Sequence, residues 1–243
     1  MSLASAPAPG HPVPQAMLDA AGAPVTLVWL NRAGGLTGRV ESGQPRFIKW
    51  NPAGSGESLA AEAERLEWLR GRHPAPEVLD LIENDGSELL ITQALPGRSA
   101  VDSVWLARPD DAVRTIAEGL RALHSLPTAS CPFDWGVETR IAEVIATGAD
   151  VPESLQQAPS IDKLVVCHGD ACAPNTLIGN AGEFAAHVDL ARLGLADRWA
   201  DLAAATMSLG WNYATHNEDL FWSTYGCDPD RDRLNYYRDL WNA

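Results

Sequence analysis

Residues 164–178 read LVVCHGDACAPNTLI: four apolar residues, then His168, Gly169 and Asp170, with Asn175 five positions beyond the aspartate. A short apolar run with two valines fits a buried strand. It breaks into His, Asp, Pro and Asn, residue types that end strands and bond to nearby backbone. A second strand, near 184–189, ends in HVDLARLG and carries Asp189 at its close. Asn and Asp oxygens are hard donors of the kind that hold Mg2+ while leaving room for water and phosphates. Phosphoryl transfer needs such a site together with an acceptor for the proton of the attacking hydroxyl. Asp170 fits the proton acceptor, and Asn175 and Asp189 fit the metal ligands. A lone His-Gly-Asp is equally well explained as a turn with Asx hydrogen bonds. The addition of Asn175 and a strand-terminal Asp189 favours a site.

The part before Pro96 is rich in strand signals. PVTLVWL (24–30) and RFIKW (46–50) are β-branched and aromatic runs, and NRAGGLTG (31–38) reads as the turn between them. That turn could close over phosphates, because glycines let backbone N–H groups approach an anion. A helix is expected over about 57–70, stopped by Gly71 and Pro74, and SELLITQALPG (87–97) is an apolar strand with a Pro-Gly exit. Within the helix Leu59, Glu62, Leu66 and Leu69 share one face, which points Glu62 inward with the leucines. A buried carboxylate needs a cation, and Lys49 on the preceding strand is the nearest candidate. A strand lysine held by a glutamate of the next helix is how protein-kinase-like enzymes set a lysine on the α- and β-phosphates of ATP.

After Pro96 the pattern is mainly helical. PDDAVRTIAEGLRALHSL (109–126) has apolar residues at 112, 113, 116, 117, 120 and 123, a stripe of helical period. The reading is therefore α+β in two lobes: a flexible Pro/Ala-rich segment at 1–20, a small β-rich lobe at 21–96 and a larger, mainly helical lobe at 97–243. The first residues lack the basic and apolar regions of a secretory signal. No run approaches the ~20 apolar residues that span a bilayer. The four cysteines have neither CxxC spacing nor zinc-type histidine partners, so reduced thiols in a cytoplasmic protein are expected. The net charge of −14 argues against a nucleic-acid partner. It is uneven, with 11 acidic against 7 basic residues up to Pro96 and 21 against 11 after it. An acidic second part suits a small cationic ligand, though a solvated acidic surface reads the same way. Nothing in the sequence points to an obligate protein partner.

HGDACAPN, VDLARLGLADRWADLA, FIKW, EAERLEWL and CPFD together resemble the aminoglycoside O-phosphotransferases, above all those acting at a 3′ or 3″ hydroxyl. The likeness spans roughly residues 25 to 240. It implies a two-lobed protein-kinase-like fold, with ATP and Mg2+ as cosubstrate and cofactor and a polycationic aminoglycoside as acceptor. It further implies Asp170 as catalytic base, with Arg192 near the transferred phosphate or the substrate. Asn175 and Asp189 become the magnesium ligands, and Lys49, held by Glu62, touches the phosphates. Gln93 and Leu95 would offer backbone groups to adenine, and Thr37 would reach the β-phosphate. Asp201 is similar to an aspartate that braces the catalytic loop, although a plain N-cap role fits it as well. His168 is expected to fix that loop rather than act as a base.

The resemblance weakens towards the acceptor. Kanamycin-type 3′ enzymes end in an acidic tail, whereas this chain ends NYYRDLWNA, with Trp241 and Asn242 in place of acids. The stretch 150–162 is short for the helical insertion that walls the substrate site. Asp134, Glu138 and Glu153 are the candidate substrate acids, and the tryptophans at 199, 211, 222 and 241 are expected in the core. Two alternatives stay open on sequence: a kinase of the same fold for a metabolite such as an amino alcohol or sugar, and a nucleotide-binding protein without catalysis.

Overall fold

The computed structural model describes residues 6–243, which group into two compact units. Among the described residues the first comprises 6–70 together with Ala75–Leu95; the second comprises Gly71–Pro74 and Pro96–Ala243. The opening residues, 1–5, for which a flexible segment was expected, lie outside the described residues. Residues 15–20 correct that expectation. Helix α1 (Gln15–Ala21) forms between Pro14 and Gly22, and Gly22 takes the left-handed φ of 58° that ends it. Its Met17 is fully buried in the core beneath the sheet, alongside Val40 and Ile48. Gln, Ala, Met and Leu are good helix formers, and the buried face fixes the segment.

In the first unit β1 (Thr26–Leu30), β2 (Leu36–Val40), β3 (Arg46–Asn51), helix α2 (Leu59–Leu69), β4 (Val78–Asn84) and β5 (Ser87–Gln93) follow in order. The strands form one antiparallel sheet in the order β1-β2-β3-β5-β4. Helix α2 starts at Ser58, whose hydroxyl accepts the Ala61 N–H at 3.2 Å, and packs Leu59, Ala63, Leu66 and Leu69 inward. The turn expected over 31–38 is shorter than that. Asn31 and Gly35 close it, the Asn31 N–H donating to the Gly35 carbonyl at 2.9 Å. Residues 36–40 then alternate buried and exposed as strand β2.

The second unit begins its strands with β6 (Arg98–Ser99), followed by helices α3 (Ser103–Leu106), α4 (Pro109–Leu123) and α5 (Val137–Ala146). Then come β7 (Leu164–Cys167), β8 (Thr176–Ile178), β9 (Phe184–His187), β10 (Gly194–Asp197) and helices α6 (Trp199–Asn212), α7 (Glu218–Tyr225) and α8 (Arg231–Asn242). All six stripe positions of α4 are buried. The helix packs on α7 and β9, and a Cβ at its Gly119 would lie 2.4 Å from the Phe184 ring. Trp105, Trp199, Phe221, Trp222 and Tyr237 fill one core. Trp211 departs from the core expectation: it stands 59% exposed at the solvent side of α6. No described helix is long and apolar enough to cross a membrane.

Candidate active site

Strand β3 sets Lys49 on the face that meets α2. Its Nζ lies 2.7 and 2.8 Å from the two carboxylate oxygens of Glu62, which is 3% exposed. Thr37 departs from the expected position. It lies within β2 rather than in the turn, directly opposite Lys49 in the β2–β3 ladder, so its side chain shares the lysine's face. The cause is the apolar alternation Leu36, Gly38, Val40, whose buried side needs this register. At the end of β5 the Gln93 N–H donates to the Glu77 carbonyl at 2.9 Å, so this N–H is already engaged. Leu95 closes the first unit, half-buried.

In the second unit the loop after β7 is held from beneath by Asp201, on the first turn of α6. Its carboxylate accepts the N–H of His168 at 2.6 Å and of Gly169 at 3.0 Å. His124 Nε2 reaches the same carboxylate at 2.9 Å, and His124 Nδ1 meets the Tyr225 hydroxyl at 2.8 Å. Burial alone would raise the Asp201 carboxyl. The His124 hydrogen bond and the charges of His124 and His168 hold it below the usual carboxylate range. His124, Cys167 and Asp201 converge closely enough to suggest a metal cluster, but the bonds to His124, His168 and Gly169 give this carboxylate a bracing role.

His168 is engaged on both sides of its ring. Its Nε2 donates to the Val188 carbonyl at 3.1 Å and its Nδ1 accepts the Asp170 N–H at 3.2 Å. The ring is thus a clamp between the loop and the segment after β9. Gly169 takes a φ of 83°, and a Cβ there would lie 2.2 Å from the Arg192 carbonyl oxygen, so glycine is required on both counts. These restraints present Asp170. Its Oδ1 is buried without a hydrogen-bond partner, and burial, then the neighbouring Asp189 carboxylate, push its carboxyl above the usual range.

Asn175 follows on a 3-10 turn at Ala173–Asn175, tied down by the Ala173 N–H donating to Ser208 Oγ at 2.8 Å. The Asn175 amide nitrogen donates to the Asp170 carbonyl at 3.0 Å, which turns its oxygen into the acceptor available to a cation. Beyond the pair Thr176–His187, the Val188 N–H donates to the Asn175 carbonyl at 3.0 Å. That register sets Asn175 against Val188, the residue before Asp189. Asp189 itself has a φ of 63°, a left-handed conformation uncommon for a non-glycine residue and a mark of functional sites. The Asn175 amide oxygen and the Asp189 carboxylate are hard oxygen donors of the kind that could hold Mg2+.

Arg192 is exposed, with its guanidinium carbon 5.6 Å from the centre of the Trp135 ring. The three candidate substrate acids are all exposed. The Asp134 carboxylate accepts from the Gly136 N–H at 3.3 Å and from the Thr139 hydroxyl, next to the start of α5. Glu138 lies in the first turn of that helix, and Glu153 on a separate 3-10 turn. Sequence reasoning missed His124, Tyr225, Trp135 and Arg140 as parts of the site's support. Helix α4 signalled His124 only faintly, as a polar residue next to the buried Leu123 at its end.

The model of the phosphotransferase enzyme family matches residues 33–237 of the chain. An aminoglycoside 3′-phosphotransferase of Niallia circulans is 33% identical over 216 residues, covering 80% of this chain and 82% of that one. A streptomycin 3″-kinase of Streptomyces griseus is 35% identical over 227 residues, covering 80% and 83%. Among solved structures, the aminoglycoside phosphotransferase APH(3″)-Id of Streptomyces rimosus superposes with a TM-score of 0.75 at 29% identity, covering 93% of this chain and 94% of that one. The same enzyme has also been solved in complex with ADP and streptomycin.

Proposed function

Since the chain belongs to the phosphotransferase enzyme family, we propose that it transfers the γ-phosphate of ATP to a hydroxyl of a kanamycin- or streptomycin-like aminoglycoside. The observation that carries this reading is the buried, unpartnered Oδ1 of Asp170 on a loop braced at three successive residues. A buried acceptor without a donor is costly, and an acceptor hydroxyl donating to it would relieve that cost. In the reaction Asp170 takes the hydroxyl proton as the oxygen bonds to the γ-phosphorus. The bond from that phosphorus to the β–γ bridging oxygen breaks, and ADP leaves. Lys49, oriented by Glu62, contacts the nucleotide phosphates. Thr37 stands beside Lys49, while Gln93 and Leu95 offer backbone groups to the base. Asn175 and Asp189 would hold Mg2+, which when bound offsets the negative charge of the phosphates. Arg192 contacts the phosphoryl group in transfer.

The acceptor is a polycation received by the acidic second unit, with Asp134, Glu138 and Glu153 as candidate partners. Such exposed contacts contribute ~0.2–1 kcal/mol each and weaken with salt. The reaction belongs in the cytoplasm, where ATP is present, and would inactivate the antibiotic. ADP release measured with streptomycin, kanamycin, choline and a neutral sugar tests the reading. Turnover with an aminoglycoside, with a KM that rises with ionic strength, is expected. Turnover with choline or the neutral sugar and none with any aminoglycoside would replace it with a metabolite kinase.

A further inference from the structure

Trp135 is 6% exposed and carries two guanidiniums: the Arg140 carbon lies 5.2 Å from its ring centre and the Arg192 carbon 5.6 Å. The backbone around the indole is laced to β10, the strand just after Arg192. The Trp135 N–H donates to the Leu195 carbonyl at 3.0 Å, and the Leu195 N–H donates to the Phe133 carbonyl at 2.8 Å. On its other side the Arg192 backbone abuts Gly169, where no side chain would fit. Arg192 is therefore held at its backbone by the catalytic loop and at its head by an indole.

The kind of partner matters. A carboxylate engages the in-plane N–H fork of a guanidinium, whereas an aromatic ring engages its face. Among the described residues Arg192 makes no ion pair, so the contact with Trp135 orders the head while leaving the N–H edge open to an anion. Arg140 acts from the buried side. It is 6% exposed and makes no ion pair among the described residues; burial pulls its guanidinium below the usual value against the opposing Asp201 charge, and the Arg192 charge acts in the same direction as burial but more weakly. A second cation there disfavours any inward collapse of Arg192.

We infer that Trp135 is a positioning residue for Arg192, holding its N–H fork open for the phosphoryl group in transfer. The inference rests on the phosphotransferase reading. The chemistry it recognises is a phosphoryl anion, and Arg140 completes the device as a buried electrostatic stop.

Trp135→Leu and Trp135→Phe, each alone and in an Arg192→Gln background, test it by steady-state kinetics. The Leu variant is expected to lower kcat about 3- to 30-fold with KM for ATP held within about twofold, the span of a cation–π contact. The Phe variant should recover most of that loss, and in the Arg192→Gln background the Leu change should cost nothing further. Equal losses from Trp135→Leu in both backgrounds, or none in either, overturn the inference. Side-chain NMR adds a readout independent of turnover. The Arg192 Nε–H signal, assigned by its disappearance in Arg192→Gln, should be displaced by the ring current in the wild type. It should be displaced less in Trp135→Phe. An undisplaced wild-type signal overturns the inference even if kcat falls. A wild type that turns over no aminoglycoside contradicts the functional reading instead, and the NMR result still decides the platform. Should Trp135→Leu fail to melt cooperatively, the Phe variant and the NMR comparison carry the test.

Discussion

Asp201 accepts the backbone N–H of His168, 33 positions before it in the chain, at 2.6 Å, and with it the N–H of Gly169. One carboxylate thereby fixes the conformation of the loop that presents Asp170. An N-cap role alone would have placed those bonds on the N–H groups of α6. Asp201→Ala would leave two buried N–H groups and one His124 nitrogen without acceptors, at about 1–3 kcal/mol per orphaned group. We expect urea melts to show a loss of that order or larger, together with a kcat at least tenfold lower. A variant with wild-type kcat would mean the loop is held by other contacts.

Lys49 and Glu62 form a part-buried pair with both carboxylate oxygens within 2.8 Å of Nζ. Lys49→Ala should weaken ATP binding, measured by calorimetry, by tenfold or more while leaving acceptor binding unchanged. Glu62→Gln keeps the shape but removes the charge, and should raise KM for ATP with a smaller effect on stability than Glu62→Ala. Unchanged ATP affinity in Lys49→Ala would remove this residue from the nucleotide site.

How much of this was legible beforehand depended on whether a signal was local. The strand-loop pattern around Asp170, the α4 stripe and the inward face of Glu62 are written within a few residues of each other. Strand β4 (Val78–Asn84) gave no such signal, because it is an edge strand whose side chains are mostly exposed. Helix α1 was hidden by flanking Pro and Ala, although Met17 and Gly22 mark its buried face and its end. Thr37 was placed in the turn because its glycines outweighed the alternation that puts it in β2. His73 and His187, 3.0 Å apart but separated by 114 positions, could be paired only by the fold.

That histidine pair yields a pH prediction. His73 is buried and its imidazole is lowered to about 4, by burial first and then by the charges of His168 and His124. The folded protein therefore keeps it neutral while the unfolded chain, with an ordinary value of 6.5, takes up a proton. Between those values the unfolded state binds more protons, so stability rises with pH there and is lost on acidification, by up to about 1.4 kcal/mol per unit of pH from this group. Urea melts from pH 7.5 to 4.5 should show that fall, and His73→Phe should flatten part of it. An unaltered slope in the variant would assign the acid sensitivity to other groups.

In the proposed reaction Asp170 accepts the proton of an aminoglycoside hydroxyl during metal-dependent transfer from ATP. Phosphorus NMR of ATP with streptomycin or kanamycin follows it directly, comparing wild type with Asp170→Ala in Mg2+ and wild type in excess EDTA. A new phosphomonoester on the antibiotic is expected from the wild type in Mg2+, and none in EDTA. In the variant, formation should be slowed by about 10² to 10⁴, with ATP affinity within a few-fold. Phosphomonoester formation at the wild-type rate by Asp170→Ala, or by the wild type in EDTA, would contradict it.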